Sequence, residues 1–562
     1  MKKMTKILAL ILAVAMLFGL VACDAETETA QASETATGTT AATTGTTTAT
    51  TETTEAIATE TASQYGGTVN IRICAKPVYP DPSKSASLWH YYWTTCVFEP
   101  AITRDADNNL APGVCNYELS EDLLTLKLTV RDGVKFSNGD LVDIYDVEAS
   151  LQRALNLFKS MNTKVAPYIA SMTVEGDTLT INFTEYQENN LYYLASYQTW
   201  CAIMPKEICE KYAEDYITSE NFADAIGTGP YKITDLVEAE YITVERNENY
   251  VAVEEGRTGF AAPKMAYLDE ITFYYCEDDD AAVLGLLSGD YDIIEIFPEE
   301  YRDAHPEVKE NAMPSNTGLC MRFNGVNENN VVSKYPDLRK AIMAAIDYNE
   351  FLYTVTDGQA VVSGYPVLSS LYETDVFENA DYFGAANVEV AQKYLEAAKA
   401  AGYNGETIKL VTVSNRSDVG TLVPAYCKAA GINVETVYME DSALNDFIAA
   451  ADSVNNDWDM YFYWATWTFT PTTLSTALID SYWPNEERDA IFEQMTKLDP
   501  TSQEYIDLWQ RWAQLWVDDC TIVFMGSSYW YWYTPQEFIV NDEGTARYFF
   551  NSYWENPENH MN

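Results

Sequence analysis

Basic residues are scarce in this chain of 562 residues: 34 Lys and Arg stand against 85 Asp and Glu, a formal net charge of −51. A surface of that sign repels nucleic acid and anionic lipid, so neither a phosphate-binding role nor a nucleic-acid partner is expected. Histidine is scarcer still, with only His90, His305 and His560. That disfavours a His-based triad or a zinc enzyme, and no metal or cofactor is expected. Ten cysteines are present, but none forms a C-x-x-C pair, and the nine that follow Cys23 cannot all pair among themselves. No zinc spacing or compact disulfide scaffold is visible; most of these thiols are expected to be buried and free, with one or two disulfides left open. G-x-S-x-G, HExxH and S-x-x-K are absent from any setting that would support catalysis. A hydrolase is therefore not the favoured reading, and no enzyme is expected.

The amino-terminal residues carry an address. Lys2, Lys3 and Lys6 precede the apolar stretch from Ile7 to Val21, which falls short of the roughly 20 residues of a spanning helix. Leu20-Val21-Ala22-Cys23 resembles a bacterial lipobox, in which the cysteine sulfur takes a diacylglycerol and becomes the mature terminus. Residues 1–22 are read as a lipoprotein signal peptide and Cys23 as the lipidation site; two acyl chains hold a protein at a membrane where one is marginal. Residues 23–64 are threonine-rich, with almost no apolar side chain beyond alanine. They cannot bury enough surface to offset ordering entropy and are read as a tether reaching roughly 35 Å.

From Tyr65 the pattern becomes globular, and roughly 500 residues suffice for two or three cores. T-V-N-I-R-I (68–73) alternates as a strand; aromatics follow at Trp89, Tyr91, Tyr92 and Trp93. Asp105, Asp107 and Asn109 imitate the start of a calcium loop but lack its glycine and final glutamate, so a hairpin turn is expected. T-L-K-L-T-V (125–130) alternates again, and Asp143 or Asp146 is placed to cap a helix bearing Val147, Leu151, Ala154 and Leu155. Leu338, Ile342, Ala345 and Ile346 form one apolar stripe, a core helix; Trp509, Trp512 and Trp516 at helical spacing are also expected in a core. In Gly227-Thr-Gly-Pro-Tyr the glycines are expected to permit unusual backbone angles. From about 405, strands alternate with helices, which predicts a βαβ domain with a parallel sheet and ligands beyond the strand carboxyl ends.

Five blocks in order carry a family resemblance. They are E-P-A-I-T-R-D through L-Q-R-A (99–154), G-T-G-P-Y-K-I (227–233) with V-E-R-N-E-N-Y, L-D-E-I-T-F-Y-Y (268–275), L-L-S-G-D-Y-D-I (286–293) and D-L-R-K-A-I-M-A-A-I-D-Y (337–348). Over about residues 65–540 the chain resembles the family 5 extracellular solute-binding proteins, the oligopeptide, dipeptide and nickel receptors of ABC importers. The resemblance implies an α/β, two-lobed periplasmic-binding-protein-like fold (type II, three-domain cluster C) with a hinge and an interlobe ligand cleft. It divides the chain into lobe I (65–103, 207–312 and 521–562), an extra domain II (104–206) and lobe II (313–520). It also implies a monomer at the extracellular face of the membrane, or in a periplasm, that binds a small solute, with peptide the expected class, and meets an ABC permease and its ATPase subunits.

One segment departs from the pattern. Peptide-binding relatives read roughly G-W-x-x-D-x-x-x-P, the aspartate pairing with the ligand's ammonium; here Tyr463 to Pro471 places Trp467 at that position. An indole face attracts a cation by about 0.5–2 kcal/mol and also stacks on sugar or apolar groups. The ligand-facing candidates are Tyr463, Trp464, Trp467 and Thr468, with Trp89 and Asn324. Oligosaccharide or another non-peptide solute, and peptide sensing without transport, stay open beside peptide import.

Overall fold

The computed structural model describes residues 64–84, 88–106, 109–196, 200–254, 256–302, 304–364, 367, 370–413, 416–440, 444, 447, 457–466, 470–472, 484–541 and 548–561. The signal segment, Cys23 and the threonine-rich tract lie outside them. No helix among the described residues is long and apolar enough to cross a membrane.

Three large hydrophobic cores form among the described residues, each under its own sheet. In the first, β1 (Thr68–Ile73) lies at the edge of a four-stranded sheet beside β10 (Glu270–Tyr275), β9 (Tyr241–Arg246) and β8 (Tyr231–Val237). β1 and β10 run parallel; the other pairs are antiparallel. Val69, Ile71 and Ile73 alternate inward, as period two requires, and meet Tyr92 and Trp93 of the helix Leu88–Val97. Trp532, Phe549 and Trp554 from the far end of the chain complete this core.

The second core is local in sequence. β2 (Ile102–Arg104) and β3 (Leu110–Pro112) form a hairpin, and β4 (Cys115–Leu119), β5 (Thr125–Val130), β7 (Thr178–Phe183) and β6 (Ile169–Glu175) an antiparallel sheet. Leu126, Leu128, Leu179 and Ile181 face the helix Ile144–Leu157. Asp143 caps that helix, and Asp146 reciprocates from the third position, closing both sides of a capping box. At the ends of the calcium-like run, whose Asp107 lies outside the described residues, Asp105 accepts from the Asn109 backbone N–H at 2.8 Å and donates its own N–H to the Asn109 carbonyl at 3.0 Å.

The third core lies against a six-stranded sheet in the order β12 (Ala360–Val362), β16 (Ile522–Pro535), β11 (Val308–Phe323), β15 (Met460–Thr466), β13 (Ile408–Val413), β14 (Val434–Met439). The parallel expectation holds for half of it. β13 is parallel to β14 and β15, but β15 to β11, β11 to β16 and β16 to β12 are antiparallel. The reason is that β11, the antiparallel partner of β15, and β16 beyond it enter from distant sequence, beyond the reach of a local alternation pattern. Trp509, Trp512 and Trp516 are buried here, as is the stripe Leu338, Ile342, Ala345 and Ile346.

Two cores share one ribbon. β11 and β16 pair from Val308↔Pro535 to Arg322↔Ile522, with the ladder shifted between Pro314 and Gly318. Met313 and Trp532 belong to the first core, whereas Leu319, Met321 and Phe524 belong to the third. The irregularity therefore falls where the ribbon passes from one core to the next, the place where a bulged ladder bends most readily.

The glycines of Gly227-Thr-Gly-Pro are needed for a different reason than expected. Neither adopts a positive φ. A Cβ on Gly227 would stand 2.1 Å from the Val97 carbonyl oxygen, and one on Gly229 2.4 Å from that of Cys96. Close backbone approach, not backbone angle, excludes a side chain.

Candidate functional site

The hairpin β2–β3 ends its first strand at Arg104, and the helix Glu188–Leu194 begins at Glu188. Both belong to the second core's layer, and both turn toward the third. The Glu188 carboxylate accepts a hydrogen bond from the Thr470 hydroxyl and a longer one, 3.5 Å, from Tyr505 Oη. Tyr505 sits in the first turn of the helix Gln503–Asp519, and its hydroxyl is fixed by Thr472 Oγ1 at 2.8 Å. Glu188 is thus a carboxylate from one layer held by hydroxyls of the other.

Burial sets its chemistry. Loss of solvent raises the Glu188 carboxyl from an ordinary 4.5 to about 7, against the Thr470 hydrogen bond and the Arg104 charge, which favour the ionised form. Arg104 experiences the same desolvation, which lowers its pKa, while Glu188 and tyrosines 186, 372 and 192 oppose the change. Burial likewise pushes the Tyr192 hydroxyl up to about 12. These phenols stay neutral at any physiological pH.

Beside this contact lies a cavity of about 280 Å³, lined by Arg104, Tyr117 and Tyr186 from one side and Tyr372, Asp499 and Thr501 from the other. Its size falls near the lower end for ligand pockets. The tyrosines are rigidly placed: Tyr372 Oη donates to the Pro500 carbonyl at 3.0 Å, Trp509 Nε1 donates to the Tyr372 carbonyl at 2.8 Å, and Tyr117 Oη donates to the Leu110 carbonyl at 2.9 Å. A smaller void of about 30 Å³ adjoins Arg104 beside Thr103, Tyr192 and Phe260. Charge of both signs, phenolic donors and a partly apolar wall suit a solute that is polar along its backbone and mixed in its side chains.

The residues singled out in sequence fare differently. Trp467 and Thr468 lie outside the described residues. Tyr463 pairs with Cys320 in the β11–β15 ladder. Trp464 is half-buried against the third core, and the Arg416 guanidinium stands over its ring at 4.9 Å. Its indole does attract a cation, but an internal one. Trp89 packs partly on the first core, edge to face with Tyr92 at 5.4 Å. Asn324 is fully buried, donates from Nδ2 to the Trp458 carbonyl at 3.2 Å and accepts from the Asn327 N–H at 3.2 Å. That side chain holds a loop. Sequence reasoning passed over Arg104, Glu188, Tyr372, Thr470 and Tyr505. The available signals were the quoted E-P-A-I-T-R-D block for Arg104 and, for Thr470, the Tyr463–Pro471 segment already under scrutiny.

Comparison with known proteins places this cleft in a class. The model of bacterial extracellular solute-binding proteins, family 5 Middle, matches residues 108–485. The chain belongs to that family of solute-binding proteins, as its five sequence blocks led one to expect. Among relatives, the oligopeptide-binding protein AppA of Bacillus subtilis is 26% identical over 428 residues, 70% of this chain and 74% of AppA. The glutathione-binding protein GsiB of Salmonella paratyphi A is 23% identical over 465 residues, 78% of this chain and 86% of GsiB. The ABC transporter substrate-binding protein CtaP from Listeria monocytogenes superposes with a TM-score of 0.71 at 18% identity, covering 88% of this chain and all of CtaP. The α/β binding-protein architecture expected from the sequence is the observed one.

Proposed function

We propose that this protein captures a peptide between its lobes and delivers it to the membrane permease of an ABC importer driven by ATPase subunits. The observation that carries the reading is the contact of Glu188, from the second core's layer, with Thr470 and Tyr505 of the third's, beside a tyrosine-walled cavity. A site assembled from two layers opens when they part, and a ligand closes it only to the extent that it binds the closed arrangement better. Peptide is favoured because the relatives AppA and GsiB are named for an oligopeptide and for glutathione, itself a tripeptide thiol.

The division proposed is lobe I from 65–103, 207–312 and 521–562, domain II from 104–206 and lobe II from 313–520. Cys23 carries the lipid, holding a monomer at the extracellular membrane face or in a periplasm, with the 23–64 tract as its tether. The segment Tyr463–Thr468 faces the cargo, and Trp467 takes the place of an ammonium-binding carboxylate. The test is to purify the protein gently, denature it and identify co-released small molecules by mass spectrometry. Peptides are expected; oligosaccharides without peptides overturn the assignment. Trp467→Ala is expected to weaken binding of the recovered ligand about tenfold, in line with loss of one stacking or cation–π contact; unchanged affinity removes Trp467 from the site.

A further inference from the structure

Seven of the nine described cysteines are buried, and the two that are not, Cys74 and Cys276, follow directly on the ends of β1 and β10. Those strands pair in parallel with Ile73 opposite Tyr275. The ladder continues one step further, because the Cys276 N–H donates to the Ile73 carbonyl at 2.9 Å. Cys74 and Cys276 are therefore opposite one another. Neighbouring strands lie about 4.8 Å apart, inside the 4.4–6.8 Å Cα separation that a disulfide spans.

Alternation puts both side chains on one face. Ile71, Ile73, Ile271 and Phe273 point into the first core, so Cys74 and Cys276 point away from it, with Arg72. Arg72 Nε donates to the Cys276 carbonyl at 2.7 Å, which ties the end of β10 to β1. The Cys276 thiol donates to the Asp278 carbonyl at 3.4 Å. From this placement we infer that Cys74 and Cys276 are a dithiol pair that closes to an intrachain disulfide and staples the edge strand β1 to β10.

Closure requires an external oxidant, for which a small-molecule disulfide such as oxidised glutathione suffices. The Cys276 thiolate attacks one sulfur of that reagent, and one glutathione thiolate leaves. Cys74 then gives up its proton and attacks the Cys276 sulfur, forming the protein S–S bond and expelling the second glutathione. Two protein thiols lose two electrons and two protons; one glutathione disulfide becomes two thiols. Burial holds the Cys74 thiol up at about 12, with Arg72 pulling it back, so Cys74 is the resolving sulfur and closure accelerates as pH rises.

The test uses the full chain, purified with reductant, freed of it and incubated with oxidised glutathione at pH 8.5. Samples are acid-quenched, alkylated in denaturant, digested and mapped by mass spectrometry. The expected result is a linked peptide pair containing Cys74 and Cys276, a loss of two alkylatable thiols that reductant restores, and a melting temperature raised by at least about 3 °C. Mapping on the unaltered protein needs no variant; the C74S/C276S double variant is expected to show no oxidant-dependent shift in melting. Alkylation of both cysteines after oxidation, adducts without a link, or a link to other cysteines overturns the pairing. A linked pair with an unchanged melting temperature overturns the stapling role.

Discussion

Asp81 beside Arg153 and Glu188 near the charge of Arg104 are two buried carboxylates that behave as opposites. Arg153 and Asp81 lie inside one layered region, with Arg153 Nη2 at 2.5 Å from Asp81 Oδ2. Every capacity is filled: Arg153 also donates to Ser83 Oγ and to the Tyr212 and Asp215 carbonyls, while Asp81 accepts from the Ser83 and Ile217 N–H groups. Glu188 feels the charge of Arg104 and is held beside the cavity by hydroxyls from the opposing layer. A fully saturated pair is a clamp, whereas a carboxylate held by separable hydroxyls registers whether two layers are together.

Breaking the clamp is the largest expected effect. Arg153→Met strands the Asp81 charge among backbone donors and is expected to cost about 3–5 kcal/mol, read as a fall in melting temperature at every pH from 5 to 8. A variant as stable as the parent would erase the distinction. The cleft carboxyl predicts a smaller effect confined to a pH window. Its folded value of about 7 lies above the ordinary 4.5, so the protonated form is the one that folding favours. Its contribution is complete below about 4.5 and is lost as pH climbs through about 7, up to roughly 3 kcal/mol. Denaturant titrations at pH 4.5, 6 and 8 are expected to show that decline in the parent and not in Glu188→Gln. Parallel pH profiles in the two proteins would show that Glu188 is no sensor.

Arg416 offers an intermediate case, a cation over the Trp464 ring that also donates to the Val355 carbonyl at 3.0 Å. Arg416→Met keeps the aliphatic stem and is expected to cost about 1–2 kcal/mol, without pH dependence. A loss as large as that of Arg153→Met would place it with the clamps.

What the sequence made legible was local chemistry. The alternation in 68–73 and 125–130, the capping aspartate at 143 and the tryptophan spacing in 509–516 each act within a few residues, and each element formed as read. The sheet of the third core was half legible, because β13, β14 and β15 are joined by short crossovers while β11 and β16 arrive from far away. Gly227 was noticed for the wrong property, since the carbonyl of Val97 that forbids its Cβ is 130 residues distant. In the cleft, I-T-R-D marks Arg104 only as a member of a family block, and nothing in E-N-N marks Glu188 as buried. Their chemistry comes from desolvation by layers that meet only in the folded chain. The argument from an indole's attraction for a cation concerns Trp467, which lies outside the described residues.

The edge strand β1 has a consequence for the order in which the molecule is built. Its first residue donates from the backbone to the His560 carbonyl at 2.9 Å, and Trp554 Nε1 returns a bond to the Thr68 carbonyl. The core above it is closed by Trp532, Phe549 and Trp554. The second core, by contrast, draws all its fully buried hydrophobic residues from 101–203. During synthesis the second core gathers its partners early, whereas the earliest-made strand waits for nearly the last residues before its layer is complete. Contacts of such span are slow to form, and truncation of the final ten residues is expected to leave the first-made part of the chain unfinished.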